Sequence, residues 1–217
     1  MNRCVALAPA YPPLLAIGGV ALERFVRNVA LRIGYLAVAV ALSVIVAPLA
    51  LPILPPARLV AHEQRLHFNV HPEERGDVGD AIPPTLADML GWHDFVRQVG
   101  VVYDALPANE RARTSILVDN YGEAAALDVY GSAYGLPPAL SGHNQYFAWG
   151  LRGQDPVNIL RVQVHPERLR PYCASMTVLG TTESPYARGF ENGKTIAFCR
   201  GLHPSLSTLW PGLKIII

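Results

Sequence analysis

Two patterns of apolar and polar positions divide the chain. From Gly34 to Leu54 the sequence reads GYLAVAVALSVIVAPLALPIL, twenty-one residues without a charge. At ~1.5 Å per residue a helix of that length spans roughly 30 Å, the hydrocarbon thickness of a bilayer. It is apolar on every face, whereas a helix at the surface of a globular core keeps a polar stripe. Pro48 and Pro52 fall in the last turns and LPPAR follows, so the pattern predicts a transmembrane helix over about 33–54. Upstream, VALAPAYPPLLAIGGVAL (Val5–Leu22) is also uncharged, but prolines 9, 12 and 13 interrupt its first third. A second helix is expected over about 13–26, opening on a proline, which a first helical turn accepts. The chain therefore carries one or two membrane helices within residues 1–55. Neither is a signal peptide, because the apolar run is too long and starts too far from Met1. Arg24, Arg27 and Arg32 lie between the two segments with Glu23 as the lone acid. The positive-inside rule places that loop in the cytoplasm and residues after Pro55 on the extracytoplasmic side of the cell (inner) membrane.

Residues 56–217 alternate between helical and strand periods. ADMLGWHDFVRQVGVVYDAL (Ala87–Leu106) spaces Leu90, Phe95, Val99, Val102 and Leu106 close to one helix face. SILVDN (Ser115–Asn120) is a short apolar run entering a loop, and the alanine-rich YGEAAALDVYGSAY (Tyr121–Tyr134) is helical up to GLPP. QYFAWG (Gln145–Gly150) and VNILRVQV (Val157–Val164) read as strands. HPERLRPYC gives a short helix starting at Pro166, ASMTVLG a strand, and KTIAFCRG a strand after the turn ENG. This order predicts an α/β domain: a mixed, largely parallel sandwich. FNVHPEERGDVGDAIPPT (Phe68–Thr85) is expected to be a polar connector, and no internal repeat is present.

Composition narrows the function classes. Of the 217 residues, 51% are hydrophobic and 16% charged, against a usual charged share of about 25%. The formal net charge of +1 and the lack of a dense basic cluster exclude nucleic acid as an expected partner. No phosphate loop, dinucleotide fingerprint, zinc-protease or nucleophile-elbow motif occurs, and no cofactor or metal is expected. His62, His67 and His71 lack a third reliable ligand and read as a solvated stretch, while His165 and His203 precede prolines and suit turns. Cys4, Cys173 and Cys199 have no metal-ligand spacing. A Cys173–Cys199 disulfide and two buried free thiols are both consistent with the sequence.

The richest chemistry lies between Asn120 and Gly150, where Tyr121, Glu123, His143, Asn144, Tyr146 and Trp149 gather among glycines and prolines. In α/β sheets ligands collect outside the carboxyl ends of strands, and DNYGEA leaves SILV at such a place. Aromatic faces with amides and carboxylates suit a saccharide. Equally, Asn120 and Glu123 suit the cap of a helix, His143 and Asn144 a fixed loop, and Trp149 the core. Either way Asn120, Tyr121, Glu123, His143 and Asn144 are expected to converge at one end of the sheet, with Trp149 beneath them.

ILVDNYGEAAALDVYGSAYGLPPALSGHNQYFAWG (Ile116–Gly150) resembles the C-terminal region of bacterial family 39-type glycosyltransferases, related to dolichyl-phosphate-mannose protein mannosyltransferases. LAPAYPPLLAIGGVALER, LALPILPPARL and ENGKTIAFCRGLHPSLSTLWPGLK are similar to further stretches of the same proteins, in the same order. The resemblance implies an integral-membrane enzyme with a polyisoprenyl-phosphate sugar donor and a glycan or lipid acceptor. It also implies a catalytic carboxylate in a first extracytoplasmic loop near the N-terminus. No acidic pair precedes Glu23, so no catalytic role falls on any residue of 1–217. The chain is then expected to be a truncated or split product, inactive without an N-terminal membrane part as its partner. Tyr11 and Arg3 stand near the family's lipid-phosphate groups, and Glu123, His143, Asn144 and Tyr146 are the candidate saccharide contacts. Ser184 and Ala187 occupy the places of a family cysteine pair. The alternative is a membrane-anchored, non-enzymatic domain that binds a saccharide or a partner protein.

Overall fold

The computed structural model describes residues 8–67 and 82–216. Arg3, Cys4, His71 and most of the expected polar connector lie outside the described residues. The chain forms two compact units, residues 1–54 and 55–217.

The first unit is a pair of helices, α1 (Tyr11–Phe25) and α2 (Val29–Ala50). Asn28 caps α2 by accepting from the Ala30 amide, so the helix starts at Val29, five residues before the apolar run that opens at Gly34. It ends at Ala50, just before Pro52. Arg32 reaches back to donate to the carbonyls of Glu23 and Val26, filling acceptors that the end of α1 leaves open. With 22 residues, α2 is long and apolar enough to cross a membrane. Leu36, Val40 and Val44 are each more than half exposed, and no face of the helix is polar. At 15 residues α1 reaches only about 22 Å. Among the described residues there is thus one candidate span.

The second unit opens with α3 (Pro56–Leu66), followed by α4 (Trp92–Asp104). The chain then runs through β1 (Thr114–Val118), α5 (Tyr121–Tyr130), β2 (Leu140–Ser141), α6 (Asn144–Ala148) and β3 (Asn158–Gln163). It closes with β4 (Cys173–Thr181) and β5 (Thr195–Leu202). The five strands form one sheet in the order β2-β1-β3-β5-β4. β1 pairs in parallel with β2 and β3, whereas β5 lies antiparallel to β3 and β4. The fold is α/β with a mixed sheet, but half of its pairings are antiparallel, so a largely parallel sheet is not what the chain forms. The reason is local: β4 and β5 are joined by a loop, with no crossover helix to return the chain in parallel.

Strand alternation separates two apolar cores. Ile116, Val118, Leu160, Val162, Ile196 and Phe198 pack with Phe95, Val96 and Val99 of α4 and with Ala124 and Leu127 of α5. From the other face Leu117, Ile159 and Cys199 meet Leu169, Leu206 and Trp210. β1 is buried at all five positions because both faces are covered. Cys173 and Cys199 form a disulfide between β4 and β5, which resolves the two alternatives left by the sequence.

Gln145–Gly150 is not a strand. α6 follows the edge strand β2 and lies beside the sheet, so Tyr146 enters one core while Phe147 packs against the other. Consecutive residues serving opposite faces give a strand-like pattern to what is a helical turn. Trp149, expected in the core, is 53% exposed and packs edge-on against Tyr146.

Candidate functional site

The carboxyl ends of β1, β2 and β3 carry an ionic network built around Asp119, the first residue after β1. Arg161 points from β3 to donate to the Asp119 carboxylate (2.9 Å) and to the Val118 carbonyl (3.0 Å). Its neighbours Leu160 and Val162 face the opposite core. On that other side Lys194, only 5% exposed, places its ammonium 2.8 Å from Glu123 and 3.6 Å from Asp119. Glu191 closes the network, accepting from the Asn120 amide (2.7 Å) with its second oxygen 3.9 Å from Lys194.

Glu123 is wholly buried, and its environment explains why a carboxylate is kept there. Asn120 caps α5 by accepting from the Glu123 amide, while Glu123 Oε2 accepts from the amides of Asp119 and Asn120. This is the reciprocal capping box. Lys194 neutralises the remaining oxygen. Burial alone would lower the Lys194 pKa, but the carboxylates of Glu123, Glu191 and Asp119 raise it above its ordinary value. Burial, with the adjacent Glu123 carboxylate, pushes Glu191 up to about 8.

Against this network stand the aromatic groups of the second segment. His143 follows β2 and is 6% exposed, its ring 5.0 Å from that of the half-exposed Tyr121. Burial lowers its pKa, opposed by Glu123 and Asp119. Its Nε2 is buried and has no hydrogen-bond partner among the described residues. Asn144 adopts the left-handed region (φ 49°), and its amide donates to the Ile215 carbonyl, while the Ile215 amide donates to Gly142. Asparagine is one of the few side chains that visits that region routinely. The chain end is thereby pinned against the carboxyl end of β2. A β-carbon at Gly142 would lie 1.9 Å from the Leu213 carbonyl oxygen, so this approach requires glycine.

Asn120, Tyr121, Glu123, His143 and Asn144 therefore do gather at one end of the sheet, because β1 and β2 run in parallel with Val118 opposite Ser141. Tyr146 does not join them. Its hydroxyl donates to Asp128, which also pairs with Arg152, and burial followed by that carboxylate pushes its pKa up to about 12. Tyr11 belongs to the first unit, at the start of α1.

The opening at this end of the sheet lies on the other side of Asp119. A cavity of about 450 Å³ sits over Leu117, Val118 and Asp119, within the range of ~300–1,000 Å³ common for small-molecule sites. Its polar wall is Arg161, Gln163, Arg168 and Tyr172; its apolar wall is Leu169, Leu209, Leu213 and Ile215. Sequence reasoning passed over Arg161, Arg168 and Lys194. A signal existed for Arg161: one cation in the apolar strand NILRV, where only a paired charge is tolerable. Lys194 sits in a turn signature and gave none. Compared with known protein families, curated proteins and solved structures, the chain matches none.

Proposed function

We propose that the chain is the C-terminal part of an integral-membrane glycosyltransferase using a polyisoprenyl-phosphate sugar, and that its second unit binds saccharide on the extracytoplasmic side. The observation that carries the reading is the cavity at the carboxyl ends of β1 and β3, where Asp119, Arg161, Gln163 and Tyr172 converge. This is where ligands of α/β sheets bind, and it adjoins the segment with the strongest glycosyltransferase resemblance. Two further features agree with the setting. α2 has the length and composition of a membrane span, and a disulfide within the second unit suits an oxidising compartment. Glu123 and Tyr146 take a structural role in this reading, since both are buried and bonded within the fold. His143 and Asn144 directly follow Gly142, which lines the cavity.

Gly212 provides the test. It lines the cavity, and a β-carbon there meets nothing within 4 Å, so Gly212→Phe fills the space without a backbone clash. Saturation-transfer NMR on the full chain in detergent, with a panel of hexoses and hexose derivatives, should show transfer that Gly212→Phe abolishes. Absence of transfer to any sugar, or equal transfer to the variant, would defeat the proposal. A non-enzymatic saccharide-binding domain shares this site; it would be favoured if binding survives while no donor-dependent sugar transfer is found in any membrane preparation containing the chain.

A further inference from the structure

From the chemistry of the cavity walls we infer that its ligand is an acidic saccharide, a sugar carrying an oxyanion that Arg168 and Arg161 hold together. This rests on the reading of the cavity as a saccharide site and adds the substrate class.

Arg161 projects from the middle of a strand and keeps only 11% of its side chain exposed. Of its five N–H donors, the bonds to Val118 and Asp119 occupy two. The others belong to a guanidinium that lines an open cavity. Arg168 approaches the same cavity from the turn Pro166–Tyr172; it is exposed, and no carboxylate is paired with it among the described residues. Two guanidiniums reaching one space from separate elements form the planar donor set that matches a carboxylate or phosphate group.

Asp119 also lines the cavity and would repel an anion if unopposed. It is opposed on both sides, by Arg161 at 2.9 Å and by Lys194 at 3.6 Å. Among the described residues that line the cavity, the charged side chains are the cations Arg161 and Arg168 and the acid Asp119. One positive charge remains, and Arg168 is its place. Gln163 and Tyr172 can meet hydroxyls or a ring face, while Leu169, Leu213 and Ile215 offer apolar contact to C–H groups. A neutral sugar would leave the guanidiniums of the polar wall hydrated only by trapped water. A free inorganic anion would leave the apolar wall uncovered.

Calorimetric titration of the full chain in detergent tests this with glucuronic acid, glucose 6-phosphate, glucose and inorganic phosphate as probes. At least one acidic sugar should bind about tenfold or more tighter than glucose, as expected when a charge-assisted bond replaces a neutral one. The preference should shrink as salt rises. Whichever of glucuronic acid and glucose 6-phosphate binds more tightly identifies the oxyanion as carboxylate or phosphate. Arg168→Gln, at an exposed position with no ionic partner among the described residues, should reduce the preference to about threefold or less, with the unfolding midpoint unchanged. Equal binding of glucose would overturn the acidic preference and leave the saccharide site standing, while failure of every sugar would remove both. Phosphate binding as tightly as the sugars would show an anion site without sugar recognition, against the inference. A preference that survives Arg168→Gln would place the anion elsewhere and overturn it as well.

Discussion

Replacing Lys194 by methionine tests whether the buried network is an ionic structure or incidental packing. Methionine keeps most of the side-chain volume and removes the charge. Glu123 would be left with no exposed surface and with only the two amides of Asp119 and Asn120 to stabilise its anion. Breaking a buried pair in this way costs ~3–5 kcal/mol, because the abandoned charge stays desolvated. With an m value of ~2 kcal/mol per M in urea, the unfolding midpoint should fall by roughly 1.5–2.5 M. Trp92, Trp149 and Trp210 are the three tryptophans and all lie in the second unit, so fluorescence reads this unit alone. The double variant Lys194→Met, Glu123→Gln removes both charges and leaves an amide oxygen to accept the capping bonds. It should recover at least half of the lost stability. A midpoint shift below about 0.5 M for the single variant, or no recovery in the double, would refute the ionic account.

Glu191→Gln should change how stability depends on pH. The raised pKa means that between 4.5 and about 8 the folded state holds a proton the unfolded chain has released, so the wild type loses stability as pH rises through that window. Glutamine removes that loss, on the order of 1 kcal/mol per pH unit, and the variant should gain on wild type from pH 5 to pH 8 in urea melts; a constant gap would contradict this. Gly142→Ala should cost ~1–3 kcal/mol by driving the Leu213 carbonyl away, with faster hydrogen exchange at the Asn144 and Ile215 amides; unchanged exchange would show that the close approach is not needed. Removing the disulfide with Cys173→Ser and Cys199→Ser frees a loop of 26 residues, for which chain entropy gives about 3.5 kcal/mol, readable as a lowered midpoint in oxidising buffer. For topology, an alkaline phosphatase fusion after Gly76 should be active in a bacterial host; activity of a cytoplasmic reporter there instead would reverse the orientation.

Much of the fold was legible because its signals are local. The uncharged run, the capping pair Asn120 and Glu123, and strands such as Ile116–Val118 each declare themselves within a few residues. The convergence of Tyr121 with His143 was expected, but from a strand at Gln145–Gly150 that does not form; it comes instead from the two-residue β2, which pairs in parallel with β1. The direction of β4 and β5 was not legible, because strand periodicity is the same for either pairing. Gln145–Gly150 misled for a related reason: at a sheet edge a helical turn serves both cores, and Tyr146 and Phe147 imitate alternation. The cavity was the least visible feature. Asp119, the Arg161–Tyr172 segment and Ile215 are far apart in sequence, and only the register of β1 with β3 and the tail bonds to Gly142 and Asn144 bring them to one place.

The central claim is that a saccharide occupies the cavity over Asp119. Photolabelling of the full chain with a diazirine-bearing sugar, followed by peptide mapping, locates the ligand directly. The account predicts label in the Arg161–Tyr172 and Leu209–Ile215 segments, competed by the unmodified sugar and lost in Gly212→Phe. Competed label in α4 or on the outer face of β4, with none in those two segments, would contradict it.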